Sequence, residues 1–93
     1  MNKENIQLMA EHLHADWQLI DDGKSLSRRY EFKGFAKSVY LSNLCVWLAD
    51  QQNHHPDIAF GWGYCEVRIT SHDIGGLSER DFIWATKLDE LTA

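Results

Sequence analysis

The chain has 93 residues, of which 44% are hydrophobic and 12% aromatic, and this predicts one globular domain over residues 1–93. Its formal net charge of −5, with no dense cluster of Lys and Arg, argues against direct binding of nucleic acid. No segment approaches the roughly 18 apolar residues of a membrane span and the first residues do not resemble a secretion signal, so we expect a cytoplasmic protein without a membrane partner.

The N-terminal part of the chain predicts a helix followed by a β-hairpin. Apolar residues recur at intervals of three and four over residues 4–14, the pattern of one helical face. Residues 17–22 and 25–32 then form two extended segments, and the second alternates between apolar and polar side chains. They are separated by an Asp-Gly pair at 22–23, which is a strong hairpin signal.

The longest periodic segment, from Phe35 to about Gln52, predicts a helix that is apolar on two sides. One side carries Phe35, Val39 and Val46, and the other carries Tyr40, Leu41, Leu44, Trp47 and Leu48. A helix that is apolar on two sides must be covered twice. The sheet accounts for one cover and a second copy of the chain for the other, so we expect a homo-oligomer.

A second hairpin and a third helix complete the predicted fold. Residues 53–56 end the long helix, because the residue before a proline avoids the helical conformation. Extended segments follow over residues 57–62 and 64–71, and Ser78 with Asp81 forms a capping box that begins the last helix. The order α-β-β-α-β-β-α predicts an α+β fold in which a four-stranded antiparallel sheet has its helices packed on one face.

Residues suited to proton transfer concentrate around the second hairpin. Asp50, His54 and His55 precede it, and His72 and Asp81 follow it. A free imidazole has a pKa near 6.5, so several imidazoles in one cleft can donate one proton and accept another at neutral pH. The alternative is that these residues only cap helices and strands, as the capping box already explains Asp81. We interpret His12 and His14, in the first helix, as solvated surface residues.

Other kinds of chemistry are less well supported. Adjacent His54 and His55 would point to different sides of an extended chain, and no zinc-type spacing accompanies them, so we expect no metal site. Cys45 and Cys65 have no CxxC spacing and no His close to them in the sequence, and are expected to be buried thiols. No Gly-rich loop has the context of a phosphate or dinucleotide site. Acid–base chemistry without metal or cofactor is what is left.

The arrangement of these residues resembles the pterin-4a-carbinolamine dehydratase family, also known as dimerisation cofactors of a hepatocyte homeodomain factor. The family pattern is an acid-x₃-His-His-Pro, an aromatic residue, and Ser/Thr-His-x₃-Gly-Leu-Ser/Thr-x₂-Asp. It is matched without gaps by Asp50, His54, His55, Pro56, Trp62, Ser71, His72, Gly76, Leu77, Ser78 and Asp81. Trp17 and residues 29–35 extend the likeness over essentially the whole chain. Two positions depart from it, since Asp50 replaces a common Glu and Ile58 an aromatic often found there.

The resemblance implies a lyase that removes water from 4a-hydroxytetrahydropterin to give quinonoid dihydropterin. No cofactor is implied, the fold agrees with the predicted one, and the assembly is a homodimer or homotetramer. The substrate would come from an aromatic amino acid hydroxylase. Two alternatives stay open: a non-catalytic dimerisation or assembly factor on the same fold, and an uncharacterised small-molecule-binding protein. A pure assembly factor would not need the complete set of His54, His55, His72 and Asp81.

The resemblance also implies roles for individual residues. His54, His55 and His72 carry the proton transfers, and Asp81 orients or tunes one of them. We expect His54 and His72 to be the proton-transfer pair and His55 to position the ring. The implied pterin-binding residues are Asp50, His54, His55, Pro56, Ser71, His72, Asp73, Ile74 and Arg80, although Arg80 could equally be a solvated residue at the start of the last helix.

Overall fold

The computed structural model describes residues 1–93 and contains a four-stranded antiparallel sheet with three α-helices, in the predicted order. The elements are α1 (Lys3–Ala10), β1 (Gln18–Ile20), β2 (Ser25–Glu31), α2 (Ala36–Gln52), β3 (Asp57–Gly61), β4 (Tyr64–Ile69) and α3 (Glu79–Leu91). The strand order is β1-β2-β4-β3, with antiparallel pairing throughout. The predicted α+β class is confirmed. None of the helices combines the length and apolarity needed to cross a bilayer.

The core lies between one face of the sheet and the helices. Alternate residues of β2 and β4 supply the sheet side, as in the pair Leu26 and Ile69 and the neighbouring Val67. Trp84 and Leu88 of α3 are fully buried against them. On the opposite face the strands are polar, which is the arrangement expected of an antiparallel sheet with helices on one side.

Helix α1 ends at Ala10, four residues earlier than predicted. The chain turns there so that Leu13 and Trp17 enter the core. The backbone N–H of His14 donates to a carboxylate oxygen of Asp89 at 2.9 Å, a partner from α3. Tertiary contacts with α3 thus replace the last turn of the predicted helix.

The first hairpin has a wider connection than the predicted Asp-Gly turn. Asp21, Asp22 and Gly23 all have positive φ, at 53°, 58° and 80°. Aspartate tolerates this left-handed conformation better than most residues and glycine adopts it freely, so three successive residues can reverse the chain. Strand β1 is correspondingly short.

The buried side of helix α2 agrees only in part with the prediction. Its buried residues are Ser38, Leu41, Ser42, Cys45, Leu48 and Ala49, of which Leu41 and Leu48 belong to one predicted side. Four of the predicted apolar residues are instead about half exposed or more: Phe35 at 51%, Tyr40 at 68%, Val46 at 53% and Trp47 at 52%. Four of the buried side chains are small, which allows the helix to lie close to the sheet.

Both cysteines are buried free thiols, as predicted. Burial raises the pKa of Cys45 to about 12, and the neighbouring Cys65 contributes in the same direction. Burial also raises the pKa of Cys65, although its hydrogen bond with Ser42 opposes the shift.

These thiols should make the protein less stable in alkali. An unfolded thiol loses its proton near pH 9, whereas folded Cys45 keeps its proton until about pH 12. The free energy of unfolding should therefore fall as pH rises above about 9, because the unfolded state then binds fewer protons. Urea unfolding at pH 8 and pH 10 measures this, and the fall should be smaller in Cys45→Ala. An equal fall in the variant would contradict the assignment to Cys45.

Candidate active site

The predicted site residues lie at one end of the sheet, where β3 begins and β4 ends. Asp57 at the start of β3 pairs with Arg68 near the end of β4. The loop over residues 53–56 therefore lies beside the segment that follows β4. That segment contains a single 3₁₀ turn, His72–Ile74, closed by a bridge between residues 71 and 76.

Asp81 is the buried centre of the site. Its Oδ1 lies 2.6 Å from Nε2 of His54, and its Oδ2 accepts from the Ser71 hydroxyl at 2.8 Å and the Ser78 backbone N–H at 2.9 Å. The side chain is fully buried in the first turn of α3, where a negative charge is favoured by the helix dipole. The predicted capping box is confirmed.

The contact with Asp81 involves one of the two ring nitrogens of His54. A carboxylate accepts hydrogen bonds, so the tautomer that suits this contact has its N–H at Nε2. The other ring nitrogen, Nδ1, makes no hydrogen bond within the protein. The His54 side chain is 12% exposed, so its ring is held firmly at the edge of the solvent.

The loop that carries His54 and His55 points them in different directions. Asn53 ends α2 in the left-handed conformation, with φ of 49°, and the backbone N–H of His54 donates to the carbonyl of Ala49 at 3.1 Å. His54 is directed inwards, whereas the side chain of His55 is 62% exposed. Nε2 of His55 lies 3.3 Å from Oδ1 of Asp50, which is also exposed.

His72 and His55 line a small pocket of about 110 Å³ on the outer side of this site. Its other lining residues are Asp21, Ser25, Asp57, Arg68, Ile69 and Thr70. His72 itself is exposed and its side chain makes no hydrogen bond. His54 does not line the pocket; it is linked to it through Asp81 and Ser71, the residue that precedes His72.

Several residues that line this pocket were not predicted from the sequence as site residues, although the sequence pattern indicates some of them. Arg68 and Thr70 lie on the same side of β4 and its extension as His72, so strand alternation indicates them once His72 is singled out. Asp57 directly follows the His-His-Pro segment. Asp21 joins the pocket from the distant first hairpin, and no local pattern indicates it.

Four residues singled out in the sequence do not line this pocket. Asp73 and Arg80 bind each other at 2.7 Å, and this hydrogen bond lowers the pKa of the Asp73 carboxyl. Ile74 lines a larger cavity of about 640 Å³ that also contacts α1 and β1, and it does not line the His72 pocket. Trp62, the aromatic residue of the family pattern, is 72% exposed at the opposite end of the second hairpin.

The remaining implied contacts are close to the site. Pro56 lies in the loop between His55 and β3, and Ser71 is fully buried beside Asp81. No group of three or more His, Cys, Asp or Glu side chains is arranged to hold a metal ion. The side chains that converge here are suited to giving, accepting and orienting protons.

Comparison with known proteins gives consistent matches. A family model described as Pterin 4 alpha carbinolamine dehydratase matches residues 1–91. A relative from Paracoccus denitrificans (strain Pd 1222), provisionally named a pterin-4-alpha-carbinolamine dehydratase, is 46% identical over 91 residues, covering 91% of this chain and 85% of that protein.

Two solved structures share the fold. A crystal structure described as a transcriptional coactivator/pterin dehydratase from Brucella melitensis superposes with a TM-score of 0.89 at 20% identity, covering 100% of this chain and 98% of that one. A pterin dehydratase-like protein identified as a RuBisCO assembly factor in the alpha-carboxysome superposes with a TM-score of 0.70 at 21% identity, covering 88% and 98%. At these identities the likeness establishes the fold alone.

Proposed function

Because the chain belongs to the pterin-4a-carbinolamine dehydratase family, we propose that it eliminates water from a 4a-hydroxytetrahydropterin by acid–base catalysis with histidine side chains. The products are quinonoid dihydropterin and water, so the reaction serves the recycling of tetrahydropterin. The observation that carries the proposal is the buried pair of His54 and Asp81, held next to the turn that presents His72.

The elimination needs two proton transfers. The C4a–O bond breaks with its electron pair on oxygen, which takes up a proton to leave as water, and a ring nitrogen loses a proton as the new double bond forms. We assign these transfers to His54, acting through Nδ1, and to His72. His55 contacts and positions the ring, since it lines the same pocket as His72.

Each positioned acid or base is worth about 10²–10⁴-fold in rate, so two imidazoles supply substantial acceleration without a cofactor. Asp81 holds Nε2 of His54, which orients the ring and fixes its tautomer. The pterin would lie against Asp50, residues 54–56, Ser71 and His72, with Asp73, Ile74 and Arg80 at greater distance. We further propose that the reaction occurs in the cytoplasm, with substrate supplied by an aromatic amino acid hydroxylase.

A direct assay tests the proposed function. Freshly generated 4a-hydroxytetrahydropterin should dehydrate faster in the presence of the protein, followed by the absorbance of the quinonoid product. A strong chelator should leave the rate unchanged, because protons are moved by side chains. Absence of acceleration would make the dehydratase assignment wrong, and loss of rate with chelator would point to a metal-dependent reaction.

We also propose a homodimer or homotetramer that uses the outer side of α2. Four large apolar side chains are exposed there, and Phe60 of β3, 45% exposed, extends this surface through its contact with Phe35 at 6.1 Å between ring centroids. Exposed apolar surface of this kind is typical of protein interfaces.

Replacing Trp47 by Asp should convert the assembly to monomers. The change places a charge in the centre of the apolar side of α2, where the partner would have to desolvate it. Light scattering coupled to size exclusion measures the mass. Leu8→Asp is a matched control, because Leu8 is 58% exposed on α1, away from this surface. An unchanged mass in Trp47→Asp would exclude this side of α2 as the interface.

The same exposed surface supports a second candidate function, a protein-binding assembly factor. One solved protein of the same fold is described as acting in RuBisCO assembly. A pure scaffold has no use for a buried His54–Asp81 pair, so the two candidates differ in the assay above. A chain that assembles but does not accelerate dehydration would favour the scaffold.

A further inference from the structure

Arg80 joins the turn that carries His72 to the first turn of α3. Its Nη2 donates to Oδ1 of Asp73 at 2.7 Å, and Asp73 directly follows His72. Its Nε lies 3.5 Å from the hydroxyl of Ser78, the N-cap of α3, at the outer limit of a hydrogen bond. One guanidinium thus spans the two segments that meet at the site.

From Ser78 the contacts continue to His54. The hydroxyls of Ser78 and Ser71 lie 2.8 Å apart, and Ser71 donates to Oδ2 of Asp81 at 2.8 Å. The other oxygen of Asp81 binds Nε2 of His54 at 2.6 Å. A continuous series of polar contacts therefore runs from the exposed turn of one histidine to the buried ring of the other.

The turn that carries His72 is held by one side-chain hydrogen bond and a few backbone hydrogen bonds. Between His72 and Gly76 the only side-chain hydrogen bond is the one that Asp73 makes with Arg80. Gly75 has φ of 68° and is followed by a second glycine, so the backbone here has many alternative conformations. The turn's other hydrogen bonds are between backbone groups, as in Gly75 N to His72 O at 3.2 Å, near the upper end of the usual range.

Arg80 and Asp73 form an ion pair with each other. Neither lines the pocket beside His55 and His72. The hydrogen bond from Arg80 lowers the pKa of the Asp73 carboxyl. A free substrate-binding cation would instead be expected to point into the pocket without a protein partner.

We propose that Arg80, through its bond to Asp73, is a positioning residue that fixes His72 relative to the buried His54–Asp81 pair, and that it does not contact the pterin. The expected effect of Arg80 on catalysis rests on the proposed function. Its expected effect on the conformation of the turn does not, so the two effects can be tested separately.

The kinetic test compares Arg80→Gln, Asp73→Asn and the charge-exchanged Asp73→Arg/Arg80→Asp variant. Each single change should lower kcat about fivefold, the scale of an exposed ion pair, with KM changed by less than about twofold. The charge-exchanged protein should recover kcat to within about twofold of the parent. Arg29→Gln is the control, since Arg29 lies over the Tyr64 ring on the open face of the sheet.

The structural test does not depend on turnover. Hydrogen exchange of the Gly75 amide, which is bonded to the His72 carbonyl, reports opening of the turn. Exchange should be about fivefold faster in Arg80→Gln, unchanged in Arg29→Gln, and restored in the charge-exchanged variant.

Three results would overturn the proposal: unchanged exchange in Arg80→Gln, a raised KM with unchanged kcat, or an exchanged pair that restores neither exchange nor turnover. The second result would make Arg80 a substrate contact. If the parent protein shows no dehydration at all, the proposed function is wrong, and the exchange rates alone decide whether Arg80 holds the turn.

Discussion

Turnover should fall about a hundredfold when His72 is replaced by alanine, whereas the melting temperature should change by no more than about 4 °C. The loss of rate is expected because His72 is one of the two groups assigned to proton transfer. The small change in stability is expected because the side chain is exposed and makes no hydrogen bond. Stopped-flow kinetics and thermal unfolding followed by circular dichroism measure the two quantities.

His12→Ala is the matched control for this change. His12 is also an exposed histidine, and it lies on the surface near α1 and α3, remote from the site. Its replacement should leave both turnover and melting temperature unchanged. Full activity in His72→Ala would exclude His72 from the proton-transfer pair, and a parallel loss of folding and activity would indicate a structural role.

Replacing Asp89 by alanine should lower the free energy of unfolding by about 3–5 kcal/mol, a large share of the roughly 5–15 kcal/mol available to a natural domain. Oδ1 of Asp89 binds Nη1 of Arg28 at 2.6 Å and Nε1 of Trp17 at 2.7 Å. Arg28 is only 7% exposed, so the variant leaves a buried guanidinium without its counter-charge. Urea unfolding measures the difference.

Two variants test whether the unpaired charge causes this loss. Glu90→Ala, an exposed acid beside Asp89, should change the free energy of unfolding by less than about 0.5 kcal/mol. Arg28→Met/Asp89→Leu removes both charges and should be less destabilised than Asp89→Ala, because a buried pair can often be replaced by apolar residues. If the double variant is no more stable than Asp89→Ala, the unpaired charge does not cause the loss, and the hydrogen bonds from Trp17 and His14, which both variants lack, account for it.

Asp81 shows that a helix cap and a contact with His54 are compatible in one residue. In the sequence, a helix cap and an acid that orients a histidine were competing explanations for it. In the structure, Oδ2 accepts the capping N–H of Ser78 while Oδ1 binds His54. Spacing indicates the cap because the cap is local. The bond to His54 joins residues 27 positions apart, and no period in the sequence indicates it.

Local patterns were sufficient for the element order, the hairpins, the capping box and the buried thiols, because each depends on residues within a few positions of one another. Long-range packing decides where α1 ends, because Asp89 replaces a helical partner of His14 there, and it decides which side of α2 faces the sheet. The position of Ile74 outside the His72 pocket and the contact of Arg28 with Asp89, 61 positions away, are also products of long-range packing. Periodicity indicates which residues are apolar and on which side of an element they lie, but which of them are buried, and against which distant partner, depends on how the helices and the sheet pack against each other.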